Sequence, residues 1–387
     1  MKKIPFIFLL LCGLALNAQI KLSDQAQISI ITCGPTQAEL YSAFGHTAIR
    51  VYDSLQGIDD AYNYGMFSFN QPNFYLNFAR GSSFYILGVQ SYPDFRYTYI
   101  YYNRSVHEQN LNLSSKQKQK IFDFLQWNAQ TENRSYRYDY FYDNCATRVR
   151  DAFKKALKEE VQFDSSFIKT DYTIRNLTDI YLHQQPWGDL GIDICLGLPM
   201  DKKAAPYEYM FLPDYIESSF DHATISGNPL VESKTIVYEA VAAPVEGPPH
   251  PWIVFGVLLL IASGLSIYDW KRKKVSKWFD IIIFSVLGLV GIVLFLLWTA
   301  TDHKAAAHNL NILWALPTHL LVFGIIKKNP PMWMRNYFLA VSIISGLLLA
   351  AWVVLPQQLN LFLMPLVMAI TVRAFILWKL TTIKTKR

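Results

Sequence analysis

The stretch Tyr140-Phe141-Tyr142-Asp143-Asn144-Cys145-Ala146-Thr147 puts a cysteine in the first turn of a helix. Asp143 and Asn144 supply its cap, because a short side-chain oxygen there accepts a bond from a free N–H of the first turn. Beyond the cap, Ala146, Val149, Phe153, Ala156 and Leu157 recur at helical spacing and predict an inward stripe. Aligned peptide dipoles place partial positive charge at Cys145, which lowers a thiol pKa and favours the thiolate. The same free N–H groups can hold an oxyanion. A cysteine at a helix start is often just a small buried side chain, so the chemical reading needs a partner base.

Upstream, Phe44-Gly45-His46-Thr47-Ala48-Ile49-Arg50 opens an alternating strand with a histidine just after a glycine. Gln27–Thr32, Ala61–Phe67 and Phe84–Val89 predict further strands. Ser114 or Ser115 caps a helix to about Asn128, whose apolar face is Ile121, Phe122, Phe124 and Leu125. Strands with separate helices predict an α+β domain. A histidine beside Cys145 would complete a nucleophile–base pair. His46 and Cys145 are far apart in sequence, so their pairing is an expectation about the fold, and a structural strand histidine is the equal alternative.

Downstream the composition changes. The chain is 52% hydrophobic and 17% charged, which is apolar for a soluble protein, and the apolar excess lies after Trp252. Apolar runs fall near Trp252–Tyr268, Phe279–Trp298, Leu310–Ile326, Phe338–Leu355 and Leu359–Leu380. Each approaches the ~20 residues a membrane helix needs. One loop carries Lys271, Arg272, Lys273, Lys274 and Lys277, another Lys327, Lys328 and Arg335, and the tail Lys379, Lys384, Lys386 and Arg387; the alternate loops hold only Lys304. By the positive-inside rule the N-terminal domain is outside and the tail cytoplasmic. The net charge of +6 thus needs no nucleic acid to explain it.

The N-terminus predicts the same orientation. Lys2 and Lys3 precede the apolar run Ile4–Leu16, and Ala18 precedes polar Gln19, as in a signal peptide. Leu16 departs from the small residue preferred three positions before a cut, so an uncleaved anchor is the alternative; Leu11 makes Cys12 a poor lipidation site. The expected plan is a signal peptide at 1–18, an exported catalytic domain at 19–241, a Pro-rich linker at 242–251, five membrane helices at 252–380 and a cytoplasmic tail at 381–387. Without Cys12, the exported domain keeps Cys33, Cys145 and Cys195, an odd number that leaves at least one free thiol. Either Cys33 pairs with Cys195 or all three stay unpaired. Asp302, His303 and His308 share one external loop but lack the tight spacing of a zinc site, so no metal is expected. The aromatic run Tyr92–Tyr102 reads equally as an acyl groove or as surface near lipid.

The segments around His46 and Cys145 resemble the circularly permuted papain-like, NlpC/P60-type superfamily, in which histidine precedes cysteine. The whole chain resembles the Lnb-type lipoprotein N-acyltransferases, which join such an exported domain to a bundle of membrane helices. The resemblance rests on Thr32-Cys33-Gly34-Pro35, Tyr62-Asn63-Tyr64-Gly65, Phe78-Ala79-Arg80-Gly81, Phe211-Leu212-Pro213-Asp214 and Asn309-Leu310-Asn311-Ile312-Leu313-Trp314, in this order around the two central segments. It implies Cys145 as nucleophile, His46 as base and a third orienting group from the strand after the histidine strand, Asn63 first and Tyr64 as the fallback. Asn144, Tyr64, Arg80, Tyr140, His308 and Asn311 are the candidates for substrate binding or an oxyanion hole. The implied reaction moves an acyl chain from a phospholipid, through a Cys145 thioester, to the α-amine of a diacylglyceryl-cysteine on a lipoprotein, in the bacterial inner membrane and without a cofactor. Two other readings stand beside it: a membrane-anchored peptidoglycan amidase or peptidase using the same pair, and a non-enzymatic binding module.

Overall fold

The computed structural model describes residues 20–241, 247–326 and 330–383. The expected signal peptide, linker residues 242–246 and tail residues 384–387 lie outside them.

The N-terminal domain is built on a seven-stranded antiparallel sheet. Its strands are β1 (Gln27–Cys33), β2 (His46–Asp53), β3 (Ile58–Met66), β4 (Phe84–Ser91), β5 (Val106–Leu111), β6 (Ser135–Arg137) and a late edge strand, Val231–Tyr238, in the order edge strand, β5, β1, β2, β3, β4, β6. Between β3 and β4 runs the short helix α1 (Phe74–Arg80), and between β4 and β5 the helix α2 (Tyr92–Tyr101). After β5 come α3 (Ser115–Ala129) and, beyond β6, α4 (Cys145–Leu157). Ser114 caps α3 in a full capping box with Gln117.

Both faces of the sheet are covered. Ile28, Ile30, Ile49, Val51, Tyr62 and Tyr64 pack with α3 and α4, using Ile121, Phe122, Leu125, Val149 and Phe153. Ile31, Cys33, Ala48 and Ala61 pack with Tyr92 and Phe95 of α2 on the other side. That explains why β1 is buried along nearly its whole length instead of alternating in and out. The soluble part is therefore α+β, as its pattern predicts. The aromatic run from Tyr92 is a helix whose Tyr92 and Phe95 are core.

Helices α5 (Ile174–Leu182) and α6 (Pro186–Cys195) lead to the membrane part. Among the described residues four helices are long and apolar enough to cross a membrane: α7 (Pro251–Arg272), α8 (Lys277–Thr299), α9 (Met332–Ala351) and α10 (Met364–Ile383) with the turn before it. The third expected span is different. Leu310–Leu313 and Pro317–Ile326 are 3-10 turns rather than one α-helix. Pro317 cannot donate into a continuing helix, and Trp314, Ala315, His319 and Val322 are buried within the bundle.

A polar latch joins the two parts. Fully buried Arg175 of α5 binds Asp193 at 2.7 Å and Asp201 at 2.8 Å. From the membrane side, Asn360 donates to Asp193 at 3.0 Å, Asn309 to the Ile194 carbonyl at 2.7 Å, and Gln357 to the Leu196 carbonyl at 3.0 Å. Deeper in the bundle, Arg373 of α10 binds Asp280 of α8 at 2.7 Å and Asp269 of α7 at 2.9 Å, all three buried.

Candidate active site

Antiparallel pairing sets Cys33 opposite His46, so the histidine begins β2 at the end of the sheet. The next strand, β3, carries Asn63 on the same face. The Asn63 Oδ1 lies 2.6 Å from His46 Nε2. That contact holds the ring and leaves Nδ1 as the nitrogen available to a thiol. Tyr99 of α2 stacks on the ring, with centroids 6.0 Å apart and planes 10° from parallel.

Cys145 arrives from the other side, as the first residue of α4. Asn144 caps that helix: its Oδ1 accepts from Thr147 N at 2.9 Å, and its Nδ2 donates to the carbonyls of Tyr140 at 2.9 Å and Phe211 at 2.7 Å. Gly65 joins the two catalytic candidates. It sits at φ +90°, and a Cβ there would lie 3.4 Å from Cys145 Cβ and 4.0 Å from the His46 ring. Only glycine combines that backbone with that proximity. Cys145 and His46 therefore both come close to Gly65.

Rings enclose the pair. Tyr138 reaches 3.9 Å from the same point above Gly65. Tyr140 packs edge-on to Phe44, with centroids 5.1 Å apart. Arg104 donates from Nε to the Gly34 carbonyl at 2.8 Å and lies 4.7 Å from the Tyr99 ring centre. Its charge is felt by both reacting groups.

This setting decides the protonation states. Burial pushes Cys145 up to about 11, although the backbone N–H groups of Thr47, Ala146 and Cys145 itself and the Arg104 charge pull it down. Burial pushes His46 down to about 4; the Asn63 bond opposes that and Arg104 adds to it. The expectation of a preformed thiolate is thus corrected. Desolvation by the aromatic wall outweighs the helix start, and the resting pair at neutral pH is thiol and neutral imidazole. Neutral thiol and imidazole are compatible with general-base transfer, in which the proton moves only as a bond to sulfur forms.

The other candidates part company. Tyr140 stays beside Cys145, whose charge adds to the burial that raises the Tyr140 hydroxyl. Tyr64 points to the opposite face of β3, where its hydroxyl donates to Asn128 at 2.7 Å; strand alternation separates it from Asn63. The Asn144 amide is consumed by capping and by bracing Tyr140 and Phe211. Arg80 is exposed at the end of α1, with its carbonyl accepting from Asp302 N at 2.9 Å. His308 is exposed and stands 5.1 Å from the Trp298 ring. Asn311 belongs to the latch, donating to the Asp193 carbonyl at 3.2 Å and accepting from Trp314 at 2.9 Å. Sequence reasoning missed Gly65, Tyr138 and Arg104 beside the pair, and held Tyr99 only as part of the aromatic run Tyr92–Tyr102. One signal was present, the alternation of Tyr136, Tyr138 and Tyr140 leading into the cysteine segment.

Cys33 and Cys195 are both free, one buried and one exposed. Asp302 and His303 are used in contacts with Arg137 and the Phe78 carbonyl. Among the described residues the carboxylates of Asp179, Asp189 and Asp193 gather within 4.8 Å of one another at the latch. Burial and then the neighbouring carboxylates push Asp179 up to about 8 and Asp189 up to about 6, so the group holds a proton at neutral pH.

Residues 17–179 match the Lnb N-terminal periplasmic domain, and residues 245–386 match the Lnb transmembrane domain. The chain belongs to the Lnb family. No curated protein and no solved structure matches it. As an Lnb protein it is a bacterial membrane protein with a periplasmic domain, and the cysteine, histidine and asparagine of the site all lie in the Lnb N-terminal match. The latch helix α6 lies between the two matched stretches.

Proposed function

We propose that this Lnb protein is a cysteine acyltransferase that N-acylates lipoproteins. The observation that carries the reading is a half-buried Cys145–His46 pair with buried Asn63 on the histidine ring, on a domain latched to membrane helices. A water-soluble substrate has no need of such a bundle, whereas two lipid substrates do.

The chemistry proceeds in two balanced halves. As Cys145 Sγ attacks the ester carbonyl of a phospholipid, its proton passes to His46 Nδ1. The tetrahedral oxyanion is held by free backbone N–H groups at the start of α4. Collapse breaks the ester C–O bond, His46 returns the proton to the departing oxygen, and a lysophospholipid leaves. The α-amine of a diacylglyceryl-cysteine then attacks the thioester. His46 takes the amine proton and delivers it to the departing sulfur, which restores the thiol and leaves an amide. Asn63 holds the ring in both halves. The aromatic wall limits water, the competing acceptor.

The periplasmic domain faces outward and the tail lies in the cytoplasm. The third apolar segment counts as a crossing by its hydropathy; its longer 3-10 run, Pro317–Ile326, rises about 20 Å at ~2.0 Å per residue, so the turns before it must supply the rest of the ~30 Å. The permuted papain-like ancestry rests on the order of histidine before cysteine.

The test is direct. Purified protein given phospholipid vesicles and a diacylated lipopeptide should yield N-acylated lipopeptide and lysophospholipid in equal amounts. Free fatty acid without N-acylation would make the protein a phospholipase, and cleavage of peptidoglycan stem peptides without lipid turnover would make it an amidase.

A further inference from the structure

Helix α1 and the loop before it carry an apolar face unusual for a water-exposed surface. Phe69, Tyr75, Leu76 and Phe78 are all exposed, Tyr75 at 74% and Phe78 at 57%. Contiguous exposed aromatic surface of this kind marks an interaction site.

Its position identifies the partner. The α1 end is fastened to the loop that follows the span α8. Asp302 N donates to the Arg80 carbonyl at 2.9 Å, and His303 Nε2 lies 3.1 Å from the Phe78 carbonyl. Arg137 pairs with Asp302 and donates to the Gly81 carbonyl at 2.9 Å. A Cβ on Gly81 would stand 3.1 Å from the His303 ring, so the approach is close. The last turns of α8 still expose Phe295 and Leu296. The aromatic face therefore sits at the membrane–water boundary, where tyrosine and apolar rings partition favourably.

From this face a file of rings leads inward. Phe78 stacks on Phe74 at 6.2 Å, Phe74 on Phe67 at 5.6 Å, Phe67 on Tyr85 at 4.8 Å, and Tyr85 on Tyr138 at 4.1 Å. Tyr138 stands at the wall shared with Cys145. No charged side chain belongs to the file.

We propose that this ring file is the acyl-chain site: the α1 face rests in the outer leaflet, and a lipid chain lies along Phe74, Phe67 and Tyr85 with its carbonyl at Cys145. The proposal rests on the acyl-transfer reading and adds the path by which the donor reaches the thiol. A chain leaving the bilayer here would exchange lipid contacts for ring contacts without crossing water, which keeps its methylenes out of water throughout.

The experiment compares two acyl donors on the full-length protein. One is a vesicle of palmitoyl-oleoyl phosphatidylethanolamine and phosphatidylglycerol; the other is the short soluble ester p-nitrophenyl butyrate. Formation of the Cys145 thioester is followed by intact mass. The variant Tyr75→Asp/Leu76→Asp changes only exposed side chains outside the ring file. It should lose about tenfold or more in acylation by vesicle phospholipid while staying within about twofold with the butyrate ester. An equal loss with both donors, or no loss with either, would overturn the acyl path. Wild-type protein that takes butyrate but never phospholipid would instead overturn the acyl-transfer reading itself, and the path with it.

Discussion

Cys145 and His46 rest neutral, whereas the groups paired at Arg175 and Arg373 are charged. At the first place, burial behind Tyr99, Tyr138 and Tyr140 keeps the thiol protonated and His46 unprotonated. At the second, each guanidinium is met by two carboxylates. The difference follows from what each region does. A reacting pair must change charge during turnover, so it starts neutral and develops charge only as bonds form. A latch must not change at all, so its charges are locked by bidentate geometry and supporting amides. The site is also where single polar atoms count: Asn63 is the one side chain bonded to the His46 ring among the described residues.

The largest effects should come from breaking the neutral pair. Cys145→Ala and His46→Ala are each expected to abolish lipopeptide N-acylation, a loss of about 10⁴-fold or more, and the double variant should be no worse than either single one. Clearly additive losses would show that the two residues serve different steps. The latch should respond in stability instead of chemistry. Arg175→Leu leaves Asp193 and Asp201 without their cation, and Arg373→Leu does the same to Asp269 and Asp280. Each should cost about 3–5 kcal/mol in thermal unfolding of the detergent-solubilised protein. An unchanged midpoint would mean that those carboxylates simply take up protons.

A smaller loss is expected at Asn63. Asn63→Ala frees the imidazole without removing it, and misalignment of this kind should lower the acylation rate about ten- to hundredfold with little change in unfolding. The pH response separates neutral from charged resting states. His46 must be unprotonated to accept the thiol proton, and its folded pKa is about 4, so the acylation rate should rise with pH through about 4 and be level through 6.5. The unfolded chain binds a proton at His46 from its ordinary 6.5 downward, whereas the folded chain does so only near 4; stability due to this group is therefore lost as pH falls across that window. The thiol, raised from 9.0 to about 11, behaves in mirror image: its contribution is lost as pH rises from 9 toward 11. Iodoacetamide at neutral pH should accordingly label Cys145 more slowly than a free cysteine. Faster labelling would restore the thiolate expected from the helix start.

Much of this architecture is local and was legible in the chain. Helix α4 begins at Cys145 because Asn144 satisfies its first turn, and that cap reads directly from Asp143-Asn144. Strand β2 begins at His46, and four apolar runs became long helices because length and hydropathy alone decide whether a segment is fit to span. Asn63 was reachable only through the family resemblance, which implies an orienting group on the strand after His46 and leaves Tyr64 as the fallback.

What tertiary structure alone decided depends on groups brought together from distant parts of the chain. The helix-start argument for Cys145 uses only neighbours in sequence, but the thiol's protonation depends on rings from α2 and from the segment after β6, which no local pattern reveals. Asn311 and His308 lie in a recognisable segment, yet the fold assigns one to a latch with α6 and leaves the other exposed beside Trp298, its ring tilted 58° to the indole. The third apolar run carries enough hydropathy to read as a helix, but Pro317 and its packing inside the bundle turn it into 3-10 turns. Sequence determined which segments form and where Cys145 and His46 sit on them. The fold determined their charge state, their third partner and the path of rings that reaches them, because desolvation and side-chain proximity are properties of the assembled chain.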